Sequence, residues 1–446
     1  MGKSTNSLNY RLRLKNSLLP IRNKAFSLEL IACFTFHPSL APSSVVLNLS
    51  VYRTLFADRE LRRIILSSVL PRMPVGMNTL SLMLLVQSRD GSFAHAGWVS
   101  AAYLSALALQ APITGRFMDN NGPQKLMMPL AFGHSLALVL LVVAVFNGLS
   151  LPWLLASAFL AGTMFPPVSM TIRSMYRKST MPDPQKQSAF ATESVIMETA
   201  FIGGPLIVSL AVIAGSVSYA VIASSAMMLY GVWRFSHSGA LARWGTVERG
   251  EHIVRHWLGP LKVLGVRRAL LLAFLLAMGI GLLEISMPAF ATFSGAPASV
   301  GYFYAAMSLP SAITGFAYGT RHFSWPMNRQ ITVTAVWIGL TALLMALCSN
   351  AWLFALACAV TGAGFGPMLT ALNLQLGKLT PVEYSSEAYT WSTTVFMIGL
   401  SVGFSVGGAL IERTGWAGGL QASAAVMLVA AGWALCVPEV RSDVPA

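Results

Sequence analysis

The chain has 446 residues, of which 55% are apolar and only 10% are charged. A soluble core cannot hold so much apolar sequence, so we expect membrane-spanning segments to occupy most of the chain. The formal net charge of +14 is divided among the short gaps between apolar runs, which indicates membrane topology and argues against nucleic-acid binding. The four cysteines show neither a CxxC pair nor metal-ligand spacing, so no metal or other cofactor is predicted.

Residues 1–61 differ from the rest of the chain because they are polar, basic and interrupted by prolines. Their apolar patch, residues 26–40, is too short and too interrupted to cross a bilayer. Basic residues are frequent before Ile64, and the patch lacks the compact core and small-residue cleavage site of a signal peptide. We predict a disordered cytoplasmic tail; an over-long reading frame or a weak targeting segment is the alternative.

Twelve runs approach the roughly 20 apolar residues that a helix needs to cross the hydrocarbon core. Prolines and glycines inside several runs are tolerated in membrane helices, because neighbouring helices satisfy the freed backbone groups. The sequence therefore predicts an all-α integral membrane protein with twelve transmembrane helices. The runs are 64–87, 94–114, 126–146, 152–172, 188–214, 217–235, 269–290, 299–318, 330–348, 352–374, 388–411 and 415–437.

The distribution of Lys and Arg predicts the orientation, because these residues are retained on the cytoplasmic side. With both termini in the cytoplasm, the predicted outer loops hold only Arg89 and Arg413. A single miscounted helix would move every later loop to the other side, so this asymmetry supports the even count. We predict a multi-pass protein of the bacterial cytoplasmic (inner) membrane.

The two halves of the chain resemble each other at an offset of about two hundred residues, as expected for an internal duplication in a secondary transporter. The longest polar connection also falls between them. We predict two pseudo-symmetric six-helix bundles, residues 62–235 and 268–437, a cytoplasmic linker, 236–267, and a short cytoplasmic tail, 438–446. The repeated residues are Gly162, Phe165 and Pro167, which recur as Gly362, Phe365 and Pro367, and 113–115, which recur as 313–315.

The loop after the second run carries a recognisable signature. Its residues Gly115, Asp119, Gly122 and Lys125 match the core pattern GxxxDxxGxx[KR], and the chain thereby resembles the major facilitator superfamily over about residues 60–437. The resemblance implies a loop that locks the two bundles together on the cytoplasmic side in the outward-facing state. The family usually has a basic residue after the Asp, whereas this chain has Asn120, so one charge of that lock is absent.

The fifth run resembles the antiporter signature GxxxGPxxGG of exporters in this superfamily. Gly204 and Pro205 match it, whereas Ala200, Val208 and Ser209 depart from it. Small residues at four-residue spacing permit close helix packing, and Pro205 bends the helix. The alternative interpretation is therefore a generic packing face.

Residues 399–403 match the GxSxG pattern of a hydrolase nucleophile, but they lie inside a membrane run without the strand-turn-helix context that the motif requires. P-loop, HExxH and dinucleotide fingerprints are absent from the sequence. The sequence therefore predicts that the protein is not an enzyme.

Charged residues inside the runs are the strongest functional signal, because a charge at the bilayer centre costs at least about 3 kcal/mol and needs a partner or a wet cavity. Arg72 and Glu198 lie at similar depth, and helices one and five are neighbours in the family fold. We therefore predict an Arg72–Glu198 ion pair, with Glu198 the leading candidate for proton exchange or contact with a cationic substrate. A purely structural ion pair is the alternative.

Two further acids and a set of polar residues complete the predicted site. Glu193 is close enough to the cytoplasmic end to pair with loop cations, so a structural role is favoured for it. Glu284 lies towards the outer end of a helix expected to line the central cavity, where a coupling or substrate role is predicted. The cavity-lining candidates are Asn78, Tyr103, Asn373 and Trp391.

These features favour a secondary transporter that works by alternating access, coupled to protons and exporting a small drug-like or sugar-like solute. Its expected partners are that solute, protons and the lipid bilayer, and a monomer is expected. Proton-coupled uptake is the alternative, and a non-transporting membrane receptor or assembly protein is a second class of hypothesis that the intramembrane charges disfavour.

Overall fold

A computed structural model describes residues 56–178, 181, 183–238, 259–319, 325–381 and 384–439, and this part of the chain is helical throughout, apart from short turns. Most of the predicted tail and linker lies outside the described residues; the first described helix begins at Arg59, within the predicted tail. The α-helices are α1 Arg59–Val69, α2 Met73–Asp90, α3 Phe93–Asn121, α4 Gln124–Phe146, α5 Leu151–Thr163, α6 Val168–Lys178, α7 Asp183–Ile213, α8 Ser218–Ser236, α9 Leu264–Phe293, α10 Val300–Gly319, α11 Met327–Ala346, α12 Ala351–Leu379 and α13 Ser385–Ala434.

The described helices correspond to the twelve predicted runs once their interruptions are considered. A 3-10 turn, Leu70–Arg72, joins α1 and α2 into one pass, and α5 and α6 form another across the two prolines at 166–167. The long helix α13 holds two passes, because Gly415 has left-handed φ of 75° inside it. By length and hydropathy alone, nine described helical stretches qualify as membrane spans, and the last of these covers both passes of α13. The remaining two passes are α8 and α10.

Successive passes alternate between two ends of the molecule. We call these the Gly91 end, after the turn that joins α2 to α3, and the Gly122 end, after the turn that joins α3 to α4. Both glycines have positive φ, 68° and 77°, which a residue without a Cβ adopts without strain. The Gly122 end corresponds to the predicted cytoplasmic side.

Both halves use the same close helix contact. A Cβ added to Gly204 of α7 would lie 2.6 Å from the backbone of Gly76 in α2. In the second half, a Cβ added to Gly403 of α13 would lie 2.9 Å from Gly281 in α9. Only residues without a side chain permit these helix axes to approach so closely, so the duplication seen in the sequence corresponds to a repeated packing interaction.

The two halves are joined towards the Gly91 end, where the first part of α3 packs against α13. Ser92 donates a hydrogen bond to Glu412, and Ser401 donates to the Ala101 carbonyl oxygen over 2.8 Å. The hydroxyls of Ser105 and Ser401 are 2.7 Å apart. We call this set of contacts, with those of α7 and α10 described next, the seam.

The second part of the seam lies between α7 and α10. The Gly301 amide donates to the Ser209 hydroxyl over 2.8 Å, and a Cβ on Gly301 would lie 2.7 Å from the Pro205 carbonyl oxygen. Nearer the Gly122 end, Ile113 of α3 and Ile313 of α10 are 67% and 60% exposed. The structure therefore has the conformation of two halves closed together at the Gly91 end.

Candidate functional site

The central ion pair joins Arg72 to Glu193. Arg72 occupies the 3-10 turn between α1 and α2, Glu193 lies in α7, and each side chain is only 1% exposed. Arg173 of α6, which is 57% exposed, places its Nε 3.6 Å from the second Glu193 oxygen. One buried carboxylate therefore faces two guanidinium groups, and Arg72 Nε and Nη1 have no hydrogen-bond partner among the described residues.

This pair corrects the predicted Arg72–Glu198 contact, and helix geometry explains why. At 100° per residue, Glu193 lies on the face of α7 that holds Ala200 and Gly204, which pack against Gly76 of α2. Glu198 is rotated by about 140° from Glu193, so it lies on another face. The predicted partner is therefore wrong because similar depth along two helices does not fix which face of each helix carries the side chain.

Glu198 lies on the face of α7 that meets the other half. It is seven residues before Pro205, which places it about 10 Å closer to the Gly122 end on the same helical stripe. Pro205 and Ser209 on that stripe contact Gly301 of α10 at the seam. Glu198 is half-buried and forms no ion pair within the described part of the chain.

Glu284 lies in α9, on the other side of α10. Its neighbours Leu283 and Ile285 are fully buried, whereas Glu284 itself keeps partial accessibility. The Tyr304 hydroxyl donates to the Glu284 backbone oxygen over 3.1 Å, and Tyr304 is one turn from Gly301 along α10. No cation described in the structure pairs with Glu284. Glu198 and Glu284 are thus acids of opposite halves on helices that both contact α10.

Asn78 and Tyr103 belong to a buried hydrogen-bond network inside the first half. The Asn78 amide nitrogen is 2.9 Å from the Tyr103 hydroxyl and 3.2 Å from His134 Nε2, and Ser224 donates to the Asn78 oxygen. The remaining His134 nitrogen lies 2.7 Å from the Ala161 carbonyl oxygen. All four side chains are at most 2% exposed, so this network fixes four helices to one another and does not form an accessible surface.

The other two cavity-lining candidates lie in the second half, nearer the Gly122 end. Asn373 of α12 is exposed and donates to the Leu369 carbonyl oxygen of its own helix. Trp391 of α13 is half-buried and lines a groove between α9 and α13. The structure therefore does not bring the four candidates together into one site.

The loop signature lies at the turn between α3 and α4. Asp119 is in the last turn of α3, Gly122 ends that helix, and Lys125 is in the first turn of α4. A Cβ on Gly115 would meet only the Met170 methyl, at 3.7 Å, so no backbone approaches Gly115 closely. The close approach expected for this glycine from the loop signature is therefore not seen among the described residues.

Several interacting residues were not found from the sequence. Arg173 belongs to none of the motifs, Ser209 is a departure from the antiporter signature, and Ser401 is the serine of the GxSxG match. None of them was predicted to join helices, although the hydroxyls of Ser209 and Ser401 bridge the halves. Serine is too common in membrane helices to mark a helix contact without a structure. Within the described residues, no cluster of three or more metal-ligating side chains occurs.

A family model described as Major Facilitator Superfamily matches residues 65–399. The chain belongs to the Major Facilitator Superfamily. This superfamily member is a multi-pass integral membrane protein, and the resemblance noted at its loop signature is confirmed over more than half of its length. No curated protein sequence matches the chain.

Solved structures of transporters share the fold at low sequence identity. The human organic anion transporter MFSD10 (TETRAN) is 15% identical, with a TM-score of 0.57, covering 84% of this chain and 99% of that chain. A point mutant of the nucleoside transporter NupG is 16% identical, with a TM-score of 0.65, covering 85% and 99%. A POT family transporter in complex with 5-aminolevulinic acid is 11% identical, with a TM-score of 0.66, covering 85% and 96%.

Proposed function

We propose that this superfamily member couples inward proton movement to the export of a small, positively charged organic compound, with the Gly122 end in the cytoplasm. The observation that supports the proposal is the pair of acids, Glu198 and Glu284, that lie in opposite halves without an ionic partner among the described residues. A carboxylate at membrane depth without a fixed cation requires a proton, a wet cavity or a cationic ligand.

The charge of the intramembrane site favours a cation over an anion or a neutral sugar. Arg72 is the intramembrane cation of the first half, and it is fully buried against Glu193. It is therefore neutralised inside its own half and does not face the other one. Among the described intramembrane residues, the partly accessible charges near α10 are Glu198 and Glu284, which are both negative.

Proton coupling follows from competition for the same carboxylates. With the acids ionised, an organic cation binds from the Gly122 end, which is the end away from the contacts of the seam. After the halves open at the Gly91 end, protons from outside neutralise one acid, so the attraction for the cation is lost and the compound leaves. Reclosure and release of the proton to the cytoplasm complete the cycle.

The proposed direction of transport rests on the antiporter-like segment of α7. In the antiporter-like segment of α7, Gly204 packs closely against Gly76, as does Ala200, which departs from the signature; this agrees with the alternative interpretation, a generic packing face. Pro205 also contacts Gly301 at the seam, so its bend lies where α7 meets the moving half. Uptake on the same fold is therefore retained as the competing function.

The first experiment measures proton flux in inside-out vesicles while a panel of organic cations, neutral sugars and organic anions is added. The parent is expected to release luminal protons with one or more cations, and Glu198→Gln or Glu284→Gln is expected to abolish that flux. Glu439→Gln, at an exposed position outside the helices, is the matched control and should behave as the parent does.

Three results contradict the proposal. Proton flux that survives both glutamine variants removes the site assignment, and flux stimulated by sugars or anions but not by cations removes the substrate class. Accumulation of the compound by right-side-out vesicles under an inward proton gradient, without counterflow of protons, assigns uptake instead.

A further inference from the structure

A groove with a volume of about 390 Å³ lies between the first part of α9 and the first part of α13. Its surface is almost entirely apolar. One charged residue, Arg267, is included among its lining residues, which are Leu261, Arg267, Leu270, Leu271, Phe274, Trp391 and Val395. This groove is separate from the acids described above, since Glu284 is ten residues further along α9 than Phe274.

The position of Arg267 gives the groove a polar end and an apolar end. Arg267 is the fourth residue of α9, so it lies at the boundary of the membrane-spanning segment at the Gly122 end. Phe274 is seven residues further, about 10 Å deeper in the membrane at helical rise. Arg267 is exposed and has no ion-pair partner among the described residues, whereas its neighbour Arg268 donates to the Cys436 carbonyl oxygen over 2.9 Å.

We propose that this groove binds an anionic phospholipid, with its phosphate at Arg267 and one acyl chain along Leu270, Leu271 and Phe274. A cation at headgroup depth beside an apolar channel at acyl-chain depth has the polarity of a lipid molecule. Basic pockets between transmembrane helices on the cytoplasmic side bind anionic headgroups, and the cytoplasmic leaflet supplies them.

The groove is connected to the seam through α13. Trp391 and Val395 line the groove, and Ser401, less than two turns beyond Val395, bonds to the first half. A lipid chain against Trp391 therefore contacts the same helix that holds the halves together.

The test uses fluorescence quenching by brominated lipid chains in purified protein. Phosphatidylglycerol and phosphatidylcholine with brominated chains are titrated in mixed micelles, and the signal of Trp391 is isolated by subtracting the Trp391→Phe variant. In the parent, phosphatidylglycerol is expected to reach half-quenching at about one fifth of the phosphatidylcholine concentration. This factor corresponds to the attraction of about 1 kcal/mol between one arginine at the membrane surface and an anionic lipid.

Three variants separate the parts of the site. Arg267→Gln should remove the preference for phosphatidylglycerol, and Arg267→Lys should retain it. Leu271→Phe should reduce quenching by both lipids, because it narrows the apolar channel without adding a second tryptophan signal. Lys262→Gln removes an exposed cation at the same end that does not line the groove, so the preference should remain.

Equal quenching by both lipids in the parent would overturn the proposal, because the groove would then be ordinary lipid-facing surface. A preference for phosphatidylglycerol that survives Arg267→Gln would also overturn it, because Arg267 would then be engaged by a protein acid such as Glu387 of α13. Absence of Trp391 quenching by either lipid would show that chains do not enter the groove and would equally reject it. The readout does not depend on transport, so failure here leaves the proposed function untouched.

Discussion

Removing the acid of the buried pair should destabilise the protein strongly. In Glu193→Gln the Arg72 guanidinium keeps its charge while its carboxylate partner is lost, and the site is only 1% exposed. Breaking a buried pair from one side typically costs about 3 to 5 kcal/mol, because an uncompensated charge stays behind. Arg72 already has two nitrogens without a hydrogen-bond partner in the described structure, so losing the Glu193 carboxylate removes the partner of the third as well.

The assay is the free energy of unfolding of purified protein, measured by titrating SDS into mild detergent. Arg173→Gln is the matched control, because Arg173 is largely exposed at 3.6 Å from Glu193 and should contribute no more than about 1 kcal/mol. The double variant Arg72→Met/Glu193→Leu removes both charges and should recover most of the loss. A loss of unfolding free energy below about 1 kcal/mol in Glu193→Gln would refute the reasoning. So would a double variant that loses as much unfolding free energy as Arg72→Met and Glu193→Leu lose when their separate losses are added.

Two further predictions concern glycines at the two ends of the molecule. Gly301→Leu should fold but lose the closed seam, because its side chain would meet the Pro205 carbonyl oxygen. Cysteines introduced near the Gly91 end should then react faster with a membrane-impermeant maleimide than they do in the parent. Unchanged labelling would contradict this prediction. In Gly115→Leu, the added Cβ would meet only the Met170 methyl among the described residues, at 3.7 Å, so the free energy of unfolding should be unaffected. Transport should nevertheless fall at least tenfold if the Gly122 end must close, and normal transport would contradict the role of the loop signature in that closure.

The helical architecture was predictable because its signals are local. Apolar length gives the passes, the distribution of Lys and Arg gives the even count, and the loop residues Gly115, Asp119 and Gly122 give the family, which the match over residues 65–399 confirms. The interruptions were less predictable: α13 continues past the end of the eleventh run, and the fourth run divides at 164–167, where two adjacent prolines remove backbone donors.

The site was harder to predict because it depends on which face each helix turns towards its neighbours. Arg72 pairs with Glu193, one and a half turns from the expected Glu198, since a five-residue shift rotates a side chain by about 140°. The stripe of Ala200 and Gly204 on the face of Glu193 was visible in the sequence, and it would have identified the acid that faces the helix of Arg72. For Asn78 and Tyr103 the sequence offered no such guide, because a polar residue type occurs both on a cavity surface and in a buried hydrogen-bond network.

The duplication offers a way to separate packing from function. Aligning Gly76 with Gly281 and Gly204 with Gly403, which make the same contact in each half, places Arg72 opposite Ala277 and Glu193 opposite Ser392. The same registers place Glu198 opposite Met397 and Glu284 opposite Thr79.

The small residues that bring the helices together are therefore repeated, whereas none of the four intramembrane charges has a charged counterpart. A buried charge is costly, and the second half closes the equivalent contact without one, so packing alone does not require the Arg72–Glu193 pair. The pair instead makes the first half differ electrostatically from the second. With Arg72 neutralised there, Glu198 and Glu284 are the intramembrane acids without an ionic partner among the described residues, and the proposed exchange of protons for a cation rests on them.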